Sequence, residues 1–419
     1  MTASTQRSAW SLEASPRDYV LGNVNAITPN QVIENATVVV RDGKIAEVGP
    51  SRPGVSFDVD GGGLYCLPGL VDVHSDGLEK ERFPRPGAEL PWMFSMMSFE
   101  GKLRAAGITT VFHGASFSDR AEPNSNRSVH VAVQMCEAIE AWNNDSQARL
   151  VDHRILHRLD VRSAKGLAAM REELDRQVAA GKVTAEVPAV ISHEDHTPGI
   201  GQYADRTFYE RHVAGVRGVS MEQARQYVDE MAAVRESNLA VREESMEWLA
   251  TGSANGIVRV FGHDPESAVE IADLARRGGN VAEFPTTLEA AREAHARGMS
   301  IVMGGPNVLR GGSHSGNVSA EELATEGLVT ALASDYLPSS LLGATFALAK
   351  RGTVPLHVAT SLVTSGPATA VGLSDRGALE PGQRADLVLV GLENEHPVVR
   401  SVQRANVVEE GERATAPSV

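Results

Sequence analysis

The chain has 419 residues, 42% hydrophobic and 22% charged, the balance of a globular enzyme large enough for one α/β barrel or two to three smaller domains. Its formal net charge of −15 argues against general nucleic-acid binding and requires an anionic substrate to meet a local cluster of cations or a metal. Cys66 and Cys136 read as buried small apolar residues rather than a disulfide framework, no apolar run nears the roughly 18 residues that span a bilayer, and residues 1–16 lack the apolar core of a signal peptide, so a cytoplasmic protein is expected.

In chain order, residues 1–17 read as a disordered tail. Residues 19–27, 31–41 and 44–49 follow as short strand-like runs, with Asp42-Gly43 a hairpin dipeptide between the last two. Near the other end, 377–391 is a turn followed by an apolar strand, with 398–408 after it and a second tail at 409–419. The two ends are expected to pair into one small β-sandwich domain, from 18–67 and 376–408, that brackets the middle.

Between them lie eight apolar runs: 70–73, 109–113, 155–161, 187–191, 257–262, 280–284, 300–303 and 329–333. Helical patterns such as 164–180, 265–277 and 287–297 separate several of them. Strand–helix alternation implies a parallel sheet. Eight units over 68–375 suit a (β/α)8 TIM-like barrel, whose active site lies at the C-terminal strand ends. No Gly-rich nucleotide fingerprint follows the first strand to favour a doubly wound sheet. Residues 205–255 are long, helical and rich in Glu and Arg, either a solvated insertion or a lid or dimer contact.

Polar residues recur where the eight runs stop. His74 and Asp76 follow the first; spaced i and i+2, they project from one face and can hold a divalent metal. His193-Glu-Asp-His196 follows the fourth and His263-Asp264 the fifth. The sixth carries Glu283, the seventh leads to Asn307, and the eighth ends on Asp335. A lone histidine is more often structural than a ligand, but a barrel brings these ends together. Arg158 and Asp160 share one face of the third strand, aimed into the mouth or joined as a structural ion pair. Residues 304–317 hold five glycines, two serines, Asn307, Arg310, Ser313 and His314, a composition suited to an anion-binding loop whose arginine grips phosphate. Lys80, after the first motif, is a further candidate cation.

Pro68-Gly-Leu-Val-Asp-Val-His74 and Gly382-Gln-Arg-Ala-Asp-Leu-Val388 resemble the punctuation of the amidohydrolase superfamily. Four stretches resemble one family within it, the α-D-ribose 1-methylphosphonate 5-triphosphate diphosphatases of the carbon–phosphorus lyase pathway. They are His74-Ser-Asp-Gly-Leu-Glu-Lys80 with Pro84-Arg-Pro86, Asp195-His-Thr-Pro-Gly199, Gly305 to Asn317, and Ser334-Asp-Tyr-Leu-Pro338. Ala282-Glu-Phe-Pro-Thr-Thr287 also matches. The resemblance covers about residues 18–408. It implies hydrolysis of the 5-triphosphate to the 5-phosphate and pyrophosphate. Most amidohydrolases carry His-x-His on strand one, where this chain has His-x-Asp. On strand six the superfamily often has His where this chain has Glu283, and the family often has Asn where it has Gly77.

The expectation is a divalent metal (Zn, Mn or Mg) bound among His74, Asp76, Asp195, His196, His263 and Asp335, with the choice among Glu194, Asp195, His196 and Glu283 as ligands left open. Asp335 would orient the attacking water or accept its proton. Lys80, Arg158, Asn307, Arg310, Ser313 and His314 would bind the anionic substrate. Partners would be that small molecule and a second copy of the chain as a homodimer, with no nucleic acid or membrane. A hydrolase of cyclic amides or amines is the first alternative and a non-catalytic assembly partner the second.

Overall fold

A computed structural model describes residues 15–85, 87–118, 127–144, 150–201, 205–313 and 316–405. Nearly all of both expected tails lies outside them, as does His314. Strands β1 (Tyr19–Ile27), β2 (Val32–Arg41), β3 (Lys44–Pro50), β4 (Val59–Asp60) and β5 (Tyr65–Pro68) open the chain, and β14 (Leu387–Glu393) and β15 (His396–Gln403) close it. Asp42 and Gly43 take φ of 51° and 73°, the doubly left-handed turn that matches the twist of a tight hairpin. These seven strands form one mixed sheet in the order β15-β14-β5-β1-β2-β3, with β4 beside β1. The seam between the two chain ends is β5, parallel to β1 and antiparallel to β14. Tyr19, Leu21, Val38, Leu379 and Leu387 lie in its own buried core.

The middle of the chain is an eight-stranded parallel barrel: β6 (Leu70–Ser75), β7 (Ile108–Phe117), β8 (Asp152–Asp160), β9 (Ala189–Glu194), β10 (Val258–His263), β11 (Val281–Glu283), β12 (Ser300–Gly304) and β13 (Ala331–Ala333). Each lies on one of the eight predicted runs. Closure falls between β6 and β13, where the Asp335 N–H donates to the His74 carbonyl at 3.0 Å and the Asp76 N–H to the Asp335 carbonyl at 2.5 Å. Val71, Val73, Phe112, Leu156, Phe261 and Val302 fill the interior. A second, larger core lies between strands and outer helices, and burial on both faces explains why these strands read as continuous apolar runs.

Two short helices border the mouth. The segment after the first strand is a helix, Gly77–Arg82, which carries Lys80. A second short helix, Gly305–Arg310, occupies the first half of the glycine-rich segment and ends on left-handed Gly311. Proline in its first turn lacks only an N–H that has no intrahelical partner. Helices Arg206–Arg217, Met221–Ser237 and Leu239–Ala254 form the insertion between β9 and β10. Among the described residues no helix is long and apolar enough to cross a membrane.

Candidate active site

The C-terminal ends of the barrel strands surround a cavity of about 390 Å³ lined by His74, Asp76, Arg158, Glu194, His263 and Asp335, among others. Strand β6 reaches it through an irregularity: its pairing with β7 shifts register between Asp72 and Ser75, the kind of shift that re-aims a side chain. Asp72 stays behind, buried, accepting the Ser334 N–H at 2.9 Å. Three residues just past strand ends are left-handed without being glycine: Asp264 (φ 52°), Phe284 (φ 55°) and Asp335 (φ 55°). All three line the cavity. Such backbone costs on the order of 1 kcal/mol or more per residue and persists where surrounding structure imposes it, often at functional sites.

Imidazoles and carboxylates interlock on one side of the mouth. His74 Nδ1 lies 2.8 Å from Glu283 Oε1, and the Ser192 hydroxyl donates to Glu283 Oε2 at 2.6 Å. Burial alone would lower the His74 pKa, but Glu283 outweighs it and the net shift is upward. His263 follows the same logic: burial opposes its charge, yet Asp264, Glu194 and Glu283 raise its pKa to about 9. Its Nδ1 lies 2.9 Å from Asp264 Oδ2 as an ion pair, although neither buried atom makes a hydrogen bond of good angular geometry. His196 Nε2 is 3.8 Å from the same oxygen. Burial, reinforced by the neighbouring Asp76 charge, raises the Asp335 pKa.

Three donor groups therefore lie within reach of a cation: His74–Asp76–Asp335, His74–His263–Glu283 and His196–His263–Asp264. Nitrogen and oxygen donors at this density fit a divalent metal.

Arginines form the other side. Arg158 Nη1 donates to Asp76 Oδ1 at 2.6 Å, and its Nε donates to Glu194. Arg127 Nη2 donates to Asp76 Oδ2 at 2.5 Å and its Nε to Glu79 Oε2 at 3.0 Å. Burial would raise the Asp76 pKa, but these two guanidiniums overcome it and hold the carboxyl well below the usual range. Glycine at position 114 makes room: a Cβ there would fall 2.8 Å from both Arg158 Cδ and Asp76 Oδ1.

Asp160 and Arg158 both line the cavity but do not pair with each other. Asp160 binds Arg235 of the insertion through two bonds of 3.0 Å. Asp195 is the clearest departure from expectation. It turns from the cavity to Arg162 at 2.8 Å and Arg235 at 3.1 Å. Glu194, one residue earlier and on the opposite face, enters the mouth instead. Lys80 is exposed, its Nζ 5.1 Å above the Tyr336 ring at the rim. Asn307, Arg310 and Ser313 line the cavity on the β12 side, and Asn307 Oδ1 also accepts the Ala320 N–H at 3.0 Å. His314 cannot be compared, lying outside the described residues. Arg127 escaped sequence reasoning altogether, and its one signal is a position between a barrel strand's end and the next helix. Gly77 is a packing glycine, since a Cβ there would meet Phe99 Cζ at 2.3 Å.

A parallel eight-stranded barrel carries its active site at the C-terminal mouth, where these histidines and carboxylates converge. Residues 102–411 match the amidohydrolase family. The α-D-ribose 1-methylphosphonate 5-triphosphate diphosphatase of Escherichia coli (strain K12) is 35% identical over 92% of this chain and 98% of its own length. An imidazolonepropionase of Deinococcus radiodurans is 27% identical, with 86% of each chain covered. Among solved structures, the N-acetyl-D-glucosamine-6-phosphate deacetylase of Mycobacterium smegmatis superposes with a TM-score of 0.56 at 14% identity, over 92% of this chain and 98% of that one. The chain belongs to the amidohydrolase superfamily, whose members use divalent metals.

Proposed function

We propose that this protein is a metal-dependent diphosphatase that converts α-D-ribose 1-methylphosphonate 5-triphosphate to the 5-phosphate and pyrophosphate. The observation that carries the reading is the pairing of a metal-type donor set with Arg127, Arg158 and Arg310 around one cavity. Neutral amides need no such cluster; a triphosphate does. The similarity to the Escherichia coli diphosphatase over nearly its full length supports the same substrate. In a chain of net charge −15, a bound metal together with these guanidiniums would supply the local positive charge that a polyanion requires.

His74, Asp76, His263 and Asp335 would hold the metal, with Glu194, Glu283, His196 and Asp264 completing or orienting its shell. When bound, a divalent ion (Zn, Mn or Mg) acidifies water and polarises a phosphoryl oxygen. Asp335 takes the proton of the attacking water. Arg310 and Ser313 on the β12 side bind phosphoryl oxygens and stabilise the charge that builds on departing pyrophosphate, while Arg158, held between Asp76 and Glu194, orients Asp76. Lys80 at the rim draws the anion in. Residues 68–375 form the catalytic unit, 18–67 and 376–408 brace it, and the enzyme works in the cytoplasm as a homodimer.

The test is pyrophosphate release from the ribose phosphonate triphosphate by protein loaded separately with Zn, Mn and Mg. Release that depends on the metal supports the reading. Hydrolysis of hydantoins or imidazolones without pyrophosphate release would replace it with amide chemistry.

A further inference from the structure

Asp76 is asked to do two things. It belongs to the donor group His74–Asp76–Asp335, and both of its oxygens already accept from arginine, Oδ1 from Arg158 and Oδ2 from Arg127. The two arginines differ in exposure. The Arg158 side chain is 3% exposed and locked between Asp76 and Glu194. The Arg127 side chain is 34% exposed and stands at the rim. Its Nε edge rests on Glu79, while Nη2 reaches into the cavity. A guanidinium so placed can keep Glu79 while exchanging Asp76.

We propose that Arg127 is a phosphate-binding residue held in reserve by Asp76: when Asp76 turns to a bound divalent ion, Arg127 keeps Glu79 and passes its Nη2 edge to the phosphoryl oxygens of the substrate. This rests on the reading of the substrate as a polyphosphate. The exchange follows from like-charge repulsion. A dication at Asp76 and a guanidinium on the same carboxylate repel each other in a partly buried site, where screening by water is weak. The anion entering the cavity is then the nearest uncompensated negative charge. Arg127 lines the same cavity as Arg310 and Ser313, so the polyphosphate would be gripped from two walls. Binding of metal and of polyphosphate becomes positively coupled, and by linkage each tightens the other. Without metal, the arginine–carboxylate pair closes the site to anions.

Calorimetric titration of inorganic pyrophosphate tests this on the full chain, with metal affinity measured in parallel. Wild-type holoenzyme should bind pyrophosphate at least about tenfold more tightly than metal-free enzyme. Arg127→Ala should weaken pyrophosphate binding to the holoenzyme by about 10- to 100-fold while leaving metal affinity unchanged or higher, because a competitor for Asp76 is gone. Arg127→Lys, which keeps the charge, should fall between. In metal-free protein, Asp76→Asn should improve pyrophosphate binding, and adding Arg127→Ala should cancel the gain. Loss of metal and pyrophosphate together in Arg127→Ala would make Arg127 a brace for Asp76 and overturn the proposal. Unchanged pyrophosphate binding in that variant, or a gain in Asp76→Asn that survives loss of Arg127, would overturn it too. Wild-type holoenzyme that binds no pyrophosphate would bring down the diphosphatase reading itself, and this inference with it.

Discussion

The two ends of the barrel use the same residue types to opposite effect. Beneath the N-terminal ends, Arg376 places all three guanidinium nitrogens on protein partners: Thr110 at 3.0 Å, Asp152 at 2.6 Å and both oxygens of Asp375. Above the C-terminal ends, Arg127 and Arg158 converge on one carboxylate, and His263 and Asp264 meet as an ion pair without a well-formed hydrogen bond. Arg376 is a finished ion-pair lock. At the upper end the proposed metal and anionic substrate would complete the balance. Buried charge occurs at both ends, so the crowding of metal-type donors around a cavity is what marks the site.

The largest effect should come from the upper end. Asp335→Asn should reduce turnover by about 10²- to 10⁴-fold while the folded state survives, read by pyrophosphate release alongside thermal melting. Near-normal turnover would remove Asp335 as the base. At the lower end, Arg376→Ala should cost roughly 2 kcal/mol of stability by removing a buried guanidinium and its bonds to Thr110, Asp152 and Asp375, with activity per folded molecule retained at low temperature. If activity fell while stability held, the division between a structural and a functional end would break. Arg310→Ala should weaken substrate binding about tenfold, or about 1.4 kcal/mol, without changing metal content. If the metal were lost as well, the β12 wall would be part of the metal site.

The smallest effect concerns pH. Burial would raise the Asp152 pKa, but Arg154, Arg376 and Arg404 lower it well below the usual value. A depressed carboxylate contributes stability that is present above its unfolded pKa of about 3.9 and is lost as pH falls through the folded value. Asp152→Asn should therefore cost roughly 1–2 kcal/mol at neutral pH, and the gap to wild type should narrow below about pH 4. Denaturant melts across pH measure it, and a gap that stayed constant would show that hydrogen-bond geometry, not charge, is what Asp152 supplies.

The eight strands were legible because parallel barrel strands are apolar on both faces and stop at polar residues. His74 and Asp76 could be paired from their spacing alone. Choosing Glu194 over Asp195 was not possible, because a one-residue uncertainty in where β9 ends exchanges the two faces. The helix Gly305–Arg310 was hidden by its composition: Gly-Gly-Pro reads as loop, yet a proline at a helix start is compatible with both. Arg127 lies beyond any periodic segment, so only the fold places it against Asp76. The backbone at Asp264, Phe284 and Asp335 was invisible for a different reason, since left-handed φ at a non-glycine residue is imposed by tertiary structure rather than chosen by the side chain.

The placement of β5 between β1 and β14 sets an order of events during synthesis. β1, β2 and β3 leave the ribosome early, but the strand that covers their neighbour β5 is more than three hundred residues away along the chain. At about 5–20 residues per second, the early strands wait roughly 16 to 64 seconds with an incomplete sheet. A nascent chain stalled anywhere within the barrel would carry that open β5 edge, and would be a target for chaperones or for pairing with other chains.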